Sequence, residues 1–244
     1  MKLKRTHLLL AVCVLLTGTT AWAYIPGPDI IRECPKCKTP LEQHTMISGN
    51  TVGARFWTDG KMLAPMLPDR PWLIKCPKCG TLFWIDEAKE LGKQKGWDKH
   101  KEWPNAVEPI LPSEADFLDM LSSSQLPEEK EVYARRHAWW ATNDAVRTSE
   151  SVTVSFSPAQ EENLHALANI LDDKDPYQRI IKAEIYRELG MFEECAKLLA
   201  QPFDKDRHTE VAAFIRKLAE QKLRPVREIN EEEKPDKPDA GDGK

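Results

Sequence analysis

Two short stretches, "CPKC" at Cys34–Cys37 and "CPKCG" at Cys76–Gly80, decide the fold of the first half of the chain. Pairs of cysteines with this two-residue spacing supply thiolates for a tetrahedral metal ion. Proline after the first cysteine fixes φ, and Gly80 permits the positive φ that ends a tight turn. Lys38 stands at the equivalent position of the first stretch, so we expect that turn to be less regular.

Three interpretations of the four cysteines are open. The preferred one is a metal site. The second is a thioredoxin-like redox pair, in which the cysteines lie at the start of a helix whose N-terminus lowers the thiol pKa. Pro40 and Gly80 oppose a helix that starts at these cysteines. Structural disulfides are typical of an oxidising compartment. A disulfide within one pair would be strained, whereas bonding between the two pairs is geometrically feasible.

The two cysteine pairs, together with "TLFW" at residues 81–84, resemble a zinc ribbon of the rubredoxin type. The resemblance covers residues 32–86 and implies that one Zn²⁺ is bound by Cys34, Cys37, Cys76 and Cys79. Iron is the alternative metal, because rubredoxins bind iron. Four cysteines leave no open coordination position, so the resemblance implies a structural ion rather than a catalytic one.

The first 23 residues have the pattern of a signal peptide. A basic start is followed by the apolar run Leu8–Leu16, and "AWA" at residues 21–23 predicts cleavage after Ala23. The run is shorter than the ~20 apolar residues that span a bilayer. We therefore expect a periplasmic or secreted protein of the bacterial envelope, with no stable membrane span after cleavage.

Composition and charge limit the classes of partner. Without residues 1–23 the chain has 32 basic and 39 acidic residues, a formal charge of −7. This mildly acidic balance gives no indication of nucleic-acid binding. The length allows two small domains, and the sequence predicts an α+β protein. We expect a zinc-ribbon domain at 24–112, an all-α helical-hairpin domain at 113–223 and a disordered charged tail at 224–244.

Short strands and turns are predicted for the first of these domains. The apolar segments "LIKCP" at residues 73–77 and "TLFWI" at residues 81–85 are typical of strands. Asp59-Gly60 is a plausible hairpin turn. The polar segment from residue 86 to residue 103 predicts a short helix followed by a loop.

Six helices joined by short loops are predicted after residue 112. Ser113 with Asp116 has the pattern of a capped helix start, as does Ser157 before Pro158. The other start and stop signals are Asp175 before Pro176, Gly190 as a stop, and apolar residues at helical spacing in residues 208–222. Two further helices are predicted at Glu128–Arg147 and Glu193–Ala200.

The segment "AEIYRELGMFEECAKLL" at residues 183–199 resembles a tetratricopeptide repeat. Small and aromatic residues and a Leu-Gly pair stand at the repeat's spacings, namely Ala183, Tyr186, Leu189, Gly190, Phe192 and Cys195. The resemblance covers one repeat, about residues 176–209. It implies a scaffold that binds peptides or partner proteins. Cys195 is predicted to be a small buried residue of this repeat rather than a nucleophile.

A cluster of aromatic and basic residues, "RRHAWWATND" at residues 135–144, is a candidate partner-binding patch. Arg135, Arg136 and Trp140 are the residues that would contact a protein or peptide. The simpler interpretation is a core anchor for the helices, with Trp139 facing inward. With no catalytic motif in the sequence, we expect a non-catalytic interaction or assembly protein. The alternative is a redox or metal-handling protein that uses the two cysteine pairs.

Overall fold

The computed structural model describes residues 24–95, 102–147 and 154–229. The predicted signal peptide and residues 230–244 of the predicted tail lie outside these ranges. Within them, short strands are followed by helices, which is the α+β order that the sequence predicts. The strands are β1 Ile25–Pro26, β2 Asp29–Glu33, β3 Pro40–Gln43, β4 Met46–Ser48, β5 Arg55–Phe56, β6 Met62–Leu63, β7 Leu73–Lys75, β8 Leu82–Trp84 and β9 Glu90–Gln94. The helices are α1 Glu114–Ser123, α2 Glu128–Arg147, α3 Pro158–Ile170, α4 Pro176–Leu189, α5 Phe192–Leu199 and α6 Asp206–Glu220.

The largest sheet has three antiparallel strands in the order β3-β2-β9. The short helix predicted after residue 86 is wrong, because residues there form β9, which pairs with β2. Pairing with a neighbouring strand outweighs the weak local preference of a polar segment. Gly92 permits this packing, since a Cβ at that position would lie 3.2 Å from the Trp103 ring.

The predicted turn at Asp59-Gly60 is confirmed as the connection between β5 and β6. The N–H of Gly60 donates to the carbonyl of Trp57 at 2.9 Å, and the φ of Gly60 is 78°. A Cβ on Gly60 would lie 2.7 Å from the Cδ1 of Ile181 on α4. The turn therefore packs directly against the helical half of the chain.

The predicted helix signals at Ser113, Ser157 and Gly190 are confirmed, whereas α5 begins one residue and α6 two residues earlier than predicted. Ser113 and Asp116 form a capping box at the start of α1, and Ser157 forms one with Gln160 at the start of α3. Gly190 ends α4 in the left-handed conformation, with a φ of 82°. No helix within the described ranges is both long enough and apolar enough to cross a membrane.

One hydrophobic cluster joins the strand half to the helical half. Leu73 of β7 and Trp84 of β8 pack with Phe117 of α1 and Ala134 of α2. The Tyr133 hydroxyl of α2 also accepts the backbone N–H of Trp72, at 2.9 Å. The division into two domains at residues 112 and 113 stays a prediction, and separating them would expose this shared cluster.

The predicted disordered tail begins too early in the chain. Val226 is 1% exposed, and Glu228 forms an antiparallel bridge with Trp57 beside β5. The N–H of Ile229 donates to the carbonyl of Phe56 at 2.7 Å. Residues 224–229 are ordered because the Val226 side chain is buried and the backbone pairs with residues at β5.

Candidate metal centre

The two cysteine stretches fold into turns of the same form. In the first, the N–H of Lys38 donates to the carbonyl of Cys34 at 3.1 Å. In the second, the N–H of Gly80 donates to the carbonyl of Cys76 at 2.9 Å. The second turn connects β7 to β8, so that hairpin carries two of the four predicted ligands.

The expectation that the first turn is less regular is wrong. Lys38 has a φ of 61°, close to the 70° of Gly80. For an L-residue this left-handed conformation costs about 1–2 kcal/mol. The Lys38 side chain is 65% exposed, so the neighbours of the turn place no further restraint on it. The hydrogen bond back to Cys34 fixes the backbone despite this cost.

The four sulfur atoms lie at separations that fit a tetrahedral metal site. The Sγ atoms of Cys34 and Cys79 are 3.7 Å apart, and those of Cys37 and Cys76 are 3.5 Å apart. All four lie within 4.8 Å of one another. Sulfurs about 2.3 Å from a central zinc ion would be about 3.8 Å apart. A disulfide needs about 2.05 Å, and the four cysteines are free thiols.

The surroundings of the sulfurs differ between the first and the second cysteine of each pair. Cys34 and Cys76 are fully buried against Ile74 and Phe83, and burial raises the pKa of Cys76 to about 12. Cys37 is half-buried, and its hydrogen bond with the Thr39 hydroxyl lowers its pKa to about 6.

The second pair repeats this arrangement, because the hydrogen bond with the Thr81 hydroxyl lowers the pKa of Cys79. One cysteine of each pair is thus held in an apolar core, and the other has a hydroxyl beside its sulfur. A cation at the centre would favour the deprotonated form of all four thiols. The four cysteines fit one thiolate-bound ion, and either zinc or iron is compatible with this donor set.

The predicted partner-binding residues lie on one helix but contact three different elements. Arg135 donates to Glu131 at 2.8 Å on its own helix and approaches Asn163 of α3 at 3.3 Å. The guanidinium of Arg136 lies 5.6 Å from the ring centre of Tyr177. The Nε1 of Trp140 donates to the carbonyl of Asp59 at 3.1 Å.

Trp139 and Cys195 are buried packing residues. Trp139 is 1% exposed and packs with Leu164, Leu167 and Ile185. Cys195 is fully buried in a separate apolar cluster of α4, α5 and α6, and burial raises its pKa to about 12. Both residues are packing residues, as the sequence predicts.

A buried polar network, which we call the Asp59 network, was not predicted from the sequence. Asp59 is fully buried and accepts hydrogen bonds from the Arg147 guanidinium and, at 3.0 Å, from Asn143. Asn143 also donates to Glu188 at 3.1 Å, and Trp139 donates to Glu188 at 2.8 Å. An Asp-Gly turn carries no local signal that distinguishes such a residue from a solvated one.

The network continues to the end of the described chain. On α4, Glu184 and Arg187 form a fully buried ion pair at 2.5 Å. Arg187 also donates to the carbonyl of Leu223 and, at 3.0 Å, to the carbonyl of Pro225. These contacts hold residues 223–225 against α4, so the network joins the β5–β6 turn, two helices and the C-terminal segment.

Comparison with known proteins adds no relative. No protein-family model matches the chain, and neither the curated proteins nor the solved structures give a match. The cluster of four cysteines fits a zinc ribbon, and the six helices are present. The tetratricopeptide-like character of those helices stays a prediction.

Proposed function

We propose that the protein is an exported, non-catalytic interaction or assembly protein, stabilised by one zinc ion bound to Cys34, Cys37, Cys76 and Cys79. The observation that carries the proposal is the closed geometry of the four sulfurs. Four protein thiolates complete the coordination of a tetrahedral ion and leave no position for substrate. Such an ion contributes folding free energy, and function then depends on the surface that it stabilises.

The hairpin of β7 and β8 is the part that zinc would stabilise most directly. Cys76 and Cys79 lie in its turn, and Phe83 packs beside the sulfurs. The neighbouring residue Trp84 packs in the other cluster, which the strand half shares with α1 and α2. Zinc would therefore fix the strand that lies between the metal centre and the helical half.

An extended peptide is the partner that this strand would accept. A groove of about 640 Å³ lies between β8 and the end of α1, lined by Leu82, Phe83, Trp84, Met120, Ser123 and Leu126. In the antiparallel register, the N–H groups of Leu82 and Trp84 point away from β7. Neither N–H has a hydrogen-bond partner within the described ranges. An open strand edge beside an apolar groove favours a peptide that adds as a strand.

Site-specific photocrosslinking in cells tests this function. We would place a photoreactive residue at Ser123 in the groove, and at the exposed Glu210 of α6 as the control. We expect one discrete adduct at residue 123, identified by mass spectrometry and reproduced with the purified partner. Adducts of equal yield at both positions, or none at residue 123, would count against a groove-binding partner.

A redox or metal-handling role is the second candidate. Cys37 and Cys79 are only half-buried, and the pKa of Cys37 is lowered to about 6, so these two thiols are the accessible ones. The two roles are distinguished by measuring the metal content and the free thiols of protein isolated from the envelope. One firmly held zinc ion and reduced cysteines support the structural role. Disulfides without metal, or an ion lost to a mild chelator within seconds, support the second candidate.

A further inference from the structure

A second cluster of potential metal ligands lies in the three-stranded sheet. Glu42 is on β3 and His44 follows that strand by one residue. Glu108 is brought beside them because the N–H of Glu42 donates to the carbonyl of Val107 at 2.9 Å. One ligand atom from each of Glu42, His44 and Glu108 lies within 4.8 Å of the other two.

A buried carboxylate fixes the histidine of this cluster. Asp29 on β2 is 4% exposed, and its Oδ1 lies 2.8 Å from the Nδ1 of His44. The other ring nitrogen, Nε2, faces Glu108 Oε1 at 3.4 Å, which is long for a hydrogen bond between these groups. Carboxylates hold metal-binding histidines in this way, because they orient the ring and leave the second nitrogen for the ion.

Two buried oxygen atoms beside the cluster lack a donor. Asp29 Oδ2 and Gln94 Oε1 have no hydrogen-bond partner among the residues that the structure describes. Asp29 and Gln94 face each other across β2 and β9, and the Gln94 amide donates to Glu42 at 2.7 Å. Buried acceptors are nearly always satisfied, so a surplus of them indicates a cation or a water molecule that the protein groups do not replace.

We infer that a second divalent metal ion, separate from the thiolate centre, binds to Glu42, His44 and Glu108. One imidazole nitrogen and two carboxylates suit first-row ions such as Mn²⁺ and Zn²⁺, and three protein ligands leave positions for water. Glu108 and His44 are exposed, so this ion exchanges readily with solvent. The ion would link Glu108 to the three-stranded sheet. Two residues further along the chain, Ile110 forms a bridge with Lys75 of β7. Occupancy therefore strengthens the segment that leads from the strand half to α1.

Manganese is the probe that separates this site from the four cysteines. Thiolates prefer softer ions than Mn²⁺, whereas carboxylates accept it. The full chain is first loaded with one zinc ion, and Mn²⁺ is then titrated while electron paramagnetic resonance measures the free ion. We expect one Mn²⁺ to bind per chain, and one further equivalent of Zn²⁺ to displace it.

Two variants assign the binding to these residues. Glu108→Gln changes an exposed side chain that contacts His44, and it should weaken Mn²⁺ binding at least tenfold without affecting the fold. His44→Gln should do the same, with circular dichroism as the check on folding. Glu210→Gln, on an exposed face of α6, is the matched control and should bind as the parent chain does. No Mn²⁺ uptake by the parent chain, or uptake by both ligand variants equal to that of the parent chain, would overturn the inference.

Discussion

Lys38 and Gly80 occupy equivalent positions in the two cysteine turns, and both have a left-handed backbone. Each donates its N–H to the first cysteine of its pair. Gly80 adopts this conformation at little cost, whereas Lys38 is strained by its Cβ. The two turns therefore have the same geometry and different energies.

Replacing Lys38 by glycine should stabilise the metal-bound protein by about 0.5–1 kcal/mol, because relief of strain exceeds the extra entropy of glycine. The ion pair of Lys38 with Glu33 is exposed and contributes little. Lys36→Gly, in the same turn but without a positive φ, should instead destabilise by a similar amount. Urea unfolding of both zinc-loaded variants measures the difference, and shifts of the same sign would refute the explanation.

Removing one ligand should release the ion from the thiolate centre. Cys76→Ser leaves three sulfurs and takes away one of the two cysteines that are fully buried in the cluster of Ile74 and Phe83. We expect bound zinc to fall from one ion per chain to none, as measured by elemental analysis. Cys195→Ala, which alters a buried thiol in a different cluster, should keep the ion. Full zinc content in the Cys76 variant would contradict the assigned ligands.

Glu188 should make stability fall as pH rises. Burial raises its pKa in the folded state well above the usual 4.5, so the folded protein keeps a proton that the unfolded chain releases. Its contribution is complete below about pH 4.5 and declines above it, by up to about 1.4 kcal/mol per pH unit.

Glu188→Gln, which cannot ionise, should therefore gain stability relative to the parent chain between pH 5 and pH 8. Glu193→Gln changes an exposed residue and should show a constant difference over this range. Unfolding by urea at several pH values measures both. A Glu188 variant with a pH-independent difference would mean that the folded protein holds this carboxyl in its charged form.

Shortening the chain should show that residues 223–229 belong to the core. A chain ending at Lys222 loses the buried Val226 and the two carbonyl groups that accept from Arg187. Loss of one buried aliphatic side chain and two acceptors should cost at least about 2 kcal/mol. A chain ending at Ile229 keeps these groups and is the control, and thermal unfolding compares the two chains.

Proline at the strand edge tests the proposed peptide site. Leu82→Pro removes an N–H that points away from β7, so the β7–β8 hairpin should be kept. Leu82→Ala removes the side chain but keeps the N–H. Against the partner identified by crosslinking, we expect the proline variant to bind about tenfold more weakly than the alanine variant, which corresponds to about 1.4 kcal/mol. Equal affinities would exclude addition of a strand at β8.

Features determined within a few residues could be predicted from the sequence. The helix caps at Ser113 and Ser157, the stop at Gly190 and the turn at Asp59-Gly60 depend on neighbouring residues, and all four are confirmed. The clustering of the four cysteines was also predictable, because each pair forms locally and the sequence has only one partner pair for it. The left-handed conformation of Lys38 was not predicted, because a lysine disfavours a positive φ. The hydrogen bond from its N–H to the Cys34 carbonyl imposes this conformation.

Features that depend on distant partners could not be predicted. Asp59 and Arg147 are 88 residues apart, and each looks like a surface residue in its own segment. Strand β9 forms because β2 offers a free edge, and its polar sequence carries no such signal. Residues 224–229 resemble the charged tail that follows them, yet Val226 is buried and Glu228 pairs with Trp57.

The contact between Arg55 and Glu228 joins residues that are 173 positions apart, whereas the sulfurs of Cys34 and Cys79 are separated by 45. The four cysteines lie within a stretch of 46 residues, whereas Glu228 is 149 residues beyond Cys79. Long-range contacts form late and slowly. A folding chain therefore passes through a stage in which its four cysteines can be clustered while Asp59 is still in water, without Arg147 or Glu188 beside it.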